Sequence, residues 1–494
     1  MTTTLGFQAD THTNLGTPRL YVDGRWQEAP FSLPILNPST GSLLTHVARC
    51  KEPEVDQAVA AARHCLQNQV GSWGSFSATE RGRVLMRMSE LTKACTDELA
   101  HLEALDVGKP LRQGRADALA LARYLEFYAG AADKVMGQTL PMAHGYSALT
   151  WREPHGVTAH IVPWNYPMQI LGRSVGAALA MGNACVVKPA ELACLTALAF
   201  AQIAHEAGLP AGALNLLPGL GEEAGACLAA HAGVNHLSFT GSVMTGQKIA
   251  AAAARNVTPC TLELGGKSPQ IVFADADLDA ALPFLVNAGI QNAGQTCSAA
   301  SRILVHKPVF SEVANRMSAR YRELRVGPAA NDLELGPVVS QSQKERVEAY
   351  LRLAEQDGLP LLAQGCIVDA ASKTGFFLRP SLFGPVPAWH ALAQEEIFGP
   401  VQVLIEFEDE QEAIDIANGT AFGLVAGVWS RDGARQLRMA RSLQCGQVFI
   451  NNYGAAGGVE LPFGGVKHSG YGREKGMEAL YGFSQLKTVA IYHG

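Results

Sequence analysis

At 494 residues the chain is too long for one ordinary hydrophobic core, so two or three domains are expected. Its 48% hydrophobic and 17% charged residues suit a compact globular protein, and a net charge of −6 with scattered Lys and Arg gives no reason to expect nucleic acid or another polyanion as partner. No apolar run reaches membrane-spanning length; the stretch 175–187 is interrupted by Gly182 and Asn183. The start, Met1-Thr2-Thr3-Thr4-Leu5-Gly6, lacks the basic-then-apolar order of a secretory leader, so a cytoplasmic location is expected. The ten cysteines form no Cys-x-x-Cys pair and no Cys/His cluster at zinc spacing. That points to reduced thiols and no structural metal.

Residues 1–16 are polar, Thr-rich and aperiodic, and are expected to be disordered. Leu20-Tyr21-Val22 and Trp26, around Asp23-Gly24, read as a β-hairpin. From Glu52 to about Ala132 apolar residues such as Val59, Ala62 and Leu66 recur at helical spacing. Between Val157 and Leu264 short apolar strands (160–163, 184–188, 214–217, 236–239, 261–264) alternate with helices (168–181, 195–207, 222–230, 243–254). That rhythm predicts an α/β fold with a parallel, Rossmann-like sheet, the usual frame for a nucleotide. A second α/β region runs from Asp275 to about Ser442, with strands at 303–305, 401–405 and 425–428. The end, 485–492, reads as an amphipathic strand that pairs either with another subunit or with an edge of its own chain.

No Gly-x-Gly-x-x-Gly follows a strand; Gly219-Leu220-Gly221 with Gly225 is one residue too long and reads as a turn. A better anion site is Phe239-Thr240-Gly241-Ser242, where Gly241 turns the chain and Ser242 caps a helix whose free N–H groups favour phosphate. One loop earlier, Lys188 and Glu191 can both reach ribose hydroxyls, and a carboxylate there repels a 2′-phosphate, favouring NAD over NADP. Cys297, in Gly294-Gln295-Thr296-Cys297, and Glu263, in Leu262-Glu263-Leu264-Gly265-Gly266-Lys267, are a thiol and a carboxylate, each among small residues. Such a pair suits covalent oxidation of an aldehyde: a thiolate adds to the carbonyl, and a base activates the water that releases the acyl group.

With these motifs stand Pro163-Trp164-Asn165-Tyr166-Pro167, Glu396-Ile397-Phe398-Gly399-Pro400 and Pro462-Phe463-Gly464-Gly465. In this order, over nearly the whole chain, the set resembles the aldehyde dehydrogenase superfamily. The resemblance implies Cys297 as nucleophile, Asn165 with the Cys297 N–H as oxyanion hole, and Glu263 as base for thioester hydrolysis. It also implies NAD as cofactor: Lys188 and Glu191 on the adenosine ribose, Ser242 and Gly241 at the pyrophosphate, Glu396 on the nicotinamide ribose, Phe398 beside the nicotinamide, and Trp164 among the cofactor-binding residues. Its fold would comprise a cofactor domain (1–128 and 152–262), a catalytic domain (263–455) and a small β oligomerisation element (129–151 and 472–494) that gives homodimers or homotetramers.

One departure stands out. Many family members have Trp-Lys where this chain has Arg173-Ser174. Arg173 falls where succinate-semialdehyde dehydrogenases carry an arginine resembling a clamp for a distal carboxylate, which suggests an anionic-tailed aldehyde. The second arginine of that subgroup is absent, with Gln291 in its place, and Tyr166, Phe463 and Tyr453 would equally wall an aromatic aldehyde. A coenzyme-A-acylating enzyme would generally lack a base at Glu263, and a non-catalytic structural protein on this fold would not need Cys297, Asn165 and Glu263 together.

Overall fold

The structure, a computed structural model, describes residues 19–67, 69–454 and 457–494. The Thr-rich start, expected to be disordered, lies outside the described residues.

The larger sheet has eight strands in the spatial order Arg25–Glu28, Arg19–Val22, Leu214–Leu216, Ala184–Pro189, Val157–Val162, His236–Thr240, Cys260–Glu263, Gly470–Tyr471. Its five inner strands are parallel. Every residue of Val157–Val162, Ala184–Pro189 and His236–Thr240 is buried, because helices cover both faces. Winding outward starts at Val157–Val162 and switches side at His236–Thr240. A crevice therefore opens at the carboxyl ends of these two strands, the expected place for a ligand. The outer hairpin closes through Asp23 and Gly24, both at positive φ, as a two-residue turn matched to strand twist requires.

A second sheet runs Leu361–Gln364, Ser381–Phe383, Val401–Phe407, Arg302–His306, Pro269–Val272, Val425–Trp429, Gln447–Ile450, parallel except at its first pair. Each large sheet has its own hydrophobic core. A third, antiparallel sheet joins Gln138–Leu140, Tyr146–Pro154 and Ser484–Tyr492. The terminal strand thus pairs within its own chain along Tyr146–Pro154, and among the described residues its other edge is unpaired. The preceding helix, Gly476–Gly482, belongs elsewhere: Ala479, Leu480 and Phe483 pack into the first core.

The helix expected over 168–181 is interrupted. Pro167–Ile170 and Gly176–Ala180 are α-helical, but Leu171–Val175 forms a wider π-turn. It packs against the helix Leu111–Ala131, where a Cβ on Gly172 would come within 2.9 Å of the Tyr124 side chain. Such turns occur often at functional sites, and this one carries Arg173 and Ser174.

Candidate active site

Three elements meet at the crevice. Asn165 follows Val157–Val162, Glu263 ends Cys260–Glu263, and Cys297 lies beyond the helix Leu278–Ile290. Between that helix and the thiol, Asn292, Ala293 and Gly294 are all left-handed. Left-handed Asn and Ala cost energy and persist only where surroundings fix them. Here the Asn292 amide donates to Asn165 O at 3.0 Å and to Gln295 O at 3.3 Å. Asn165 Nδ2 donates to Gln295 O at 3.1 Å, and buried Gln295 bridges Asn292 O and the Val339 N–H at 2.9 Å each. A Cβ on Gly266 would lie 2.4 Å from Cys297 O, so only glycine lets that strand pass the nucleophile loop.

Burial pushes the Cys297 thiol up to about 11, against the pull of the Arg173 guanidinium. Glu263 is 2% exposed, and among the described residues neither carboxylate oxygen has a hydrogen-bond partner. Desolvation holds its pKa well above the usual carboxylate range, with Arg173 the leading opposing charge. A Cβ on Gly464 would come within 2.6 Å of Glu263 Oε1, so a glycine also makes room for the acid.

Arg173 is buried, forms an ion pair with Glu474 and lies 4.9 Å over the Phe463 ring. Glu474 accepts from Ser238 Oγ at 2.8 Å, Ser238 from Ser174 Oγ at 3.2 Å, and Ser174 meets His160 Nδ1 at 2.5 Å. Burial pushes His160 down to about 3, so the ring is neutral. Thr158 Oγ1 lies 2.8 Å from its Nε2. Glu474 is thus tied through two serine hydroxyls to the His160 ring. Arg173, expected as a clamp for a distal carboxylate, thus already has an internal ionic partner. Ser174 is a link in this chain.

On the cofactor side, Lys188 Nζ and Glu191 Oε2 are 2.9 Å apart at the end of Ala184–Pro189. Ser242 caps Val243–Ala254 by accepting from Thr245 N–H, and a Cβ on Gly241 would strike the Phe239 ring at 2.5 Å. With Trp164 these groups occupy the carboxyl ends of three adjacent strands. Trp164 meets Phe398 edge-on at 5.3 Å, with Phe398 held at φ 61°. Glu396 accepts from Gly266 N–H at 2.9 Å, and burial pushes it up to about 7.

Beyond Cys297 opens a cavity of about 700 Å³ with Tyr166, Phe284, Phe449, Tyr453 and Phe463 among its aromatic walls. Tyr166 Oη lies 3.1 Å from Thr296 Oγ1, with Lys109 Nζ 3.8 Å from its ring centre. Gln291 is an exposed part of the lining. Sequence reasoning missed two residues here: Glu474, partner of Arg173, and Lys475, whose side chain lines the cavity. Their one local signal is charge within the Gly-rich stretch Gly470–Gly476.

The molecule is a two-sheet α/β protein in which a doubly wound sheet with an anion-type helix terminus lies beside a half-buried thiol and a buried acid without a hydrogen-bond partner among the described residues. A sequence profile described as the aldehyde dehydrogenase family matches residues 26–489, and the chain belongs to that family. It is 41% identical to a hydroxyisobutyraldehyde dehydrogenase of Mycolicibacterium austroafricanum, over 99% of this chain and 97% of that one. A crystal structure from Burkholderia cenocepacia, assigned as an aldehyde dehydrogenase, superposes with a TM-score of 0.95 at 59% identity, covering 96% of this chain and 100% of that one. An NAD+ complex of aldehyde dehydrogenase from Bacillus cereus superposes with a TM-score of 0.93 at 35% identity, covering 97% of each chain. Among the described residues no helix is long and apolar enough to cross a membrane.

Proposed function

We propose that the protein oxidises an aldehyde to a carboxylic acid with NAD, through an acyl-enzyme on Cys297 released by Glu263. The observation that carries this reading is a half-buried thiol on a pinned loop, near enough to a desolvated carboxyl without a hydrogen-bond partner among the described residues for each to feel the other and Arg173. Cys297 Sγ adds to the carbonyl carbon as its proton leaves. The oxyanion that forms is held by the Cys297 N–H and the amide hydrogen of Asn165 not used on Gln295. Bound NAD supplies the acceptor for the hydride whose departure converts this adduct into a thioester. Glu263 then takes a proton from water, the hydroxide adds to the thioester carbon, and the thiolate leaves with the carboxylic acid formed. A raised pKa suits a base that works near neutral pH.

The groups present fit NAD. Gly241 turns the chain into the Ser242 helix where a Cβ would strike Phe239, and Lys188 and Glu191 are paired at a nearby strand end. Trp164, Phe398 and Glu396 are placed to bound the reactive ring and its ribose. Homo-oligomers would form through the open edge of Ser484–Tyr492.

Initial rates over a panel of aliphatic, aromatic and charged aldehydes, with NAD and with NADP, test the reading. NAD-linked acid formation that vanishes in Cys297→Ala is expected. Acyl-CoA as the main product when coenzyme A is added, or activity surviving in Cys297→Ala, would overturn it.

A further inference from the structure

We infer that Lys475 is the specificity-determining cation of the cavity and takes a carboxylate at the far end of the aldehyde substrate. This rests on the Cys297 reading above and names its substrate class. Among the described residues two cations, Arg173 and Lys475, line the cavity, and no Asp or Glu does. Arg173 is neutralised by Glu474. Lys475 makes no ion pair among the described residues; one N–H reaches Gly457 O at 3.2 Å. An ammonium has three donors, so two remain for a ligand.

The backbone shows why this side chain points inward. Lys475 sits at φ 62°, in the left-handed region where glycine would be easier. Its neighbours hold it there. Phe463 and Glu474 exchange backbone hydrogen bonds at 2.6 and 2.8 Å, and Gly476 N–H donates to Val459 O at 2.8 Å. A strained residue that lines a cavity is a recognised mark of function. The ammonium lies 5.5 Å from the Phe463 ring centre and 5.8 Å from that of Tyr124, so a partner carboxylate would be partly shielded from water and bound more firmly than at a surface. The cavity adjoins a vestibule of about 510 Å³ lined by Arg112, Arg320 and Glu334, where cations again outnumber acids. Such a path favours entry of an anion.

The test compares succinate semialdehyde with its methyl ester, which differ at the distal end by one charge. In the unmodified enzyme kcat/KM is expected to favour the acid by at least about tenfold, and its KM, unlike that of the ester, to rise with added salt. Lys475→Met should lower the acid-to-ester ratio by about 30-fold, chiefly through KM, as expected for losing one charge-assisted contact. Lys475→Arg should keep the ratio within about threefold, and Lys475→Glu should reverse it. A ratio near one in the unmodified enzyme, or an unchanged ratio in Lys475→Met, would overturn the assignment. If the ester is oxidised without preference for the acid, only the role of Lys475 falls. If neither is oxidised with NAD while another aldehyde is, the Lys475 assignment falls and the Cys297 reading stands; if no aldehyde is oxidised, both fall.

Discussion

Exchanging Glu263 for Gln keeps its volume and removes its basicity. Acylation of Cys297 should survive, while release of the acyl group slows by about 10²–10⁴-fold. Rapid mixing should then show one equivalent of NADH formed quickly, followed by a stalled steady state. In the unmodified enzyme release should accelerate as pH rises, because Glu263 acts only when deprotonated, with a midpoint above the ordinary carboxylate range. Arg173 lowers the thiol pKa against burial. Arg173→Met should therefore move the pH midpoint of Cys297 alkylation by iodoacetamide upward from about 11. A midpoint that stays or falls would remove Arg173 from the electrostatics of the nucleophile. Cys297, Glu263 and Asn165 could be singled out in the sequence because each lies within a short motif. Glu474 was not, since its pairing with Arg173 spans some three hundred positions and leaves no local pattern.

At the scale of elements, four parallel strands of the first sheet were read to within a residue and the fifth, Val157–Val162, was begun three residues late, because continuous apolar runs between helical stretches admit few other arrangements. The π-turn Leu171–Val175 was not, since α and π spacing differ by one residue in a short apolar helix and tertiary packing decides between them. The two-residue strand Gly470–Tyr471 is too brief for any periodicity to register. Its approach makes Gly464 a sensitive position. Gly464→Ala places a methyl group against Glu263 Oε1 at a backbone φ of 155°, and also crowds Gly472 O at 2.7 Å. Loss of about 1–3 kcal/mol of stability is expected from such overpacking, read by urea titration, with deacylation impaired in parallel.

Across the whole molecule, the two cores are independent in composition but share the active site, which explains why a long chain is needed to place so few groups. Truncation before Ser484 would strip Tyr146–Pro154 of its nine-residue partner strand and expose that edge. If the terminal strand carries assembly, light scattering should report monomers from the truncated chain and a dimer or tetramer from the full one. A truncated chain with unchanged mass would place the subunit contact elsewhere.

The register of Glu263 opposite Gly470 also orders events at the ribosome. The strand bearing Glu263 is complete just past the midpoint of synthesis, yet its neighbour, and with it Glu474 and Lys475, emerges about two hundred residues later. Pairing at that sequence separation is slow and comes late in folding. A nascent chain thus carries its reactive thiol for much of its synthesis without the acid's final surroundings. Competence to turn over arrives as a single closing step, with the last strand of the larger sheet acting as its latch.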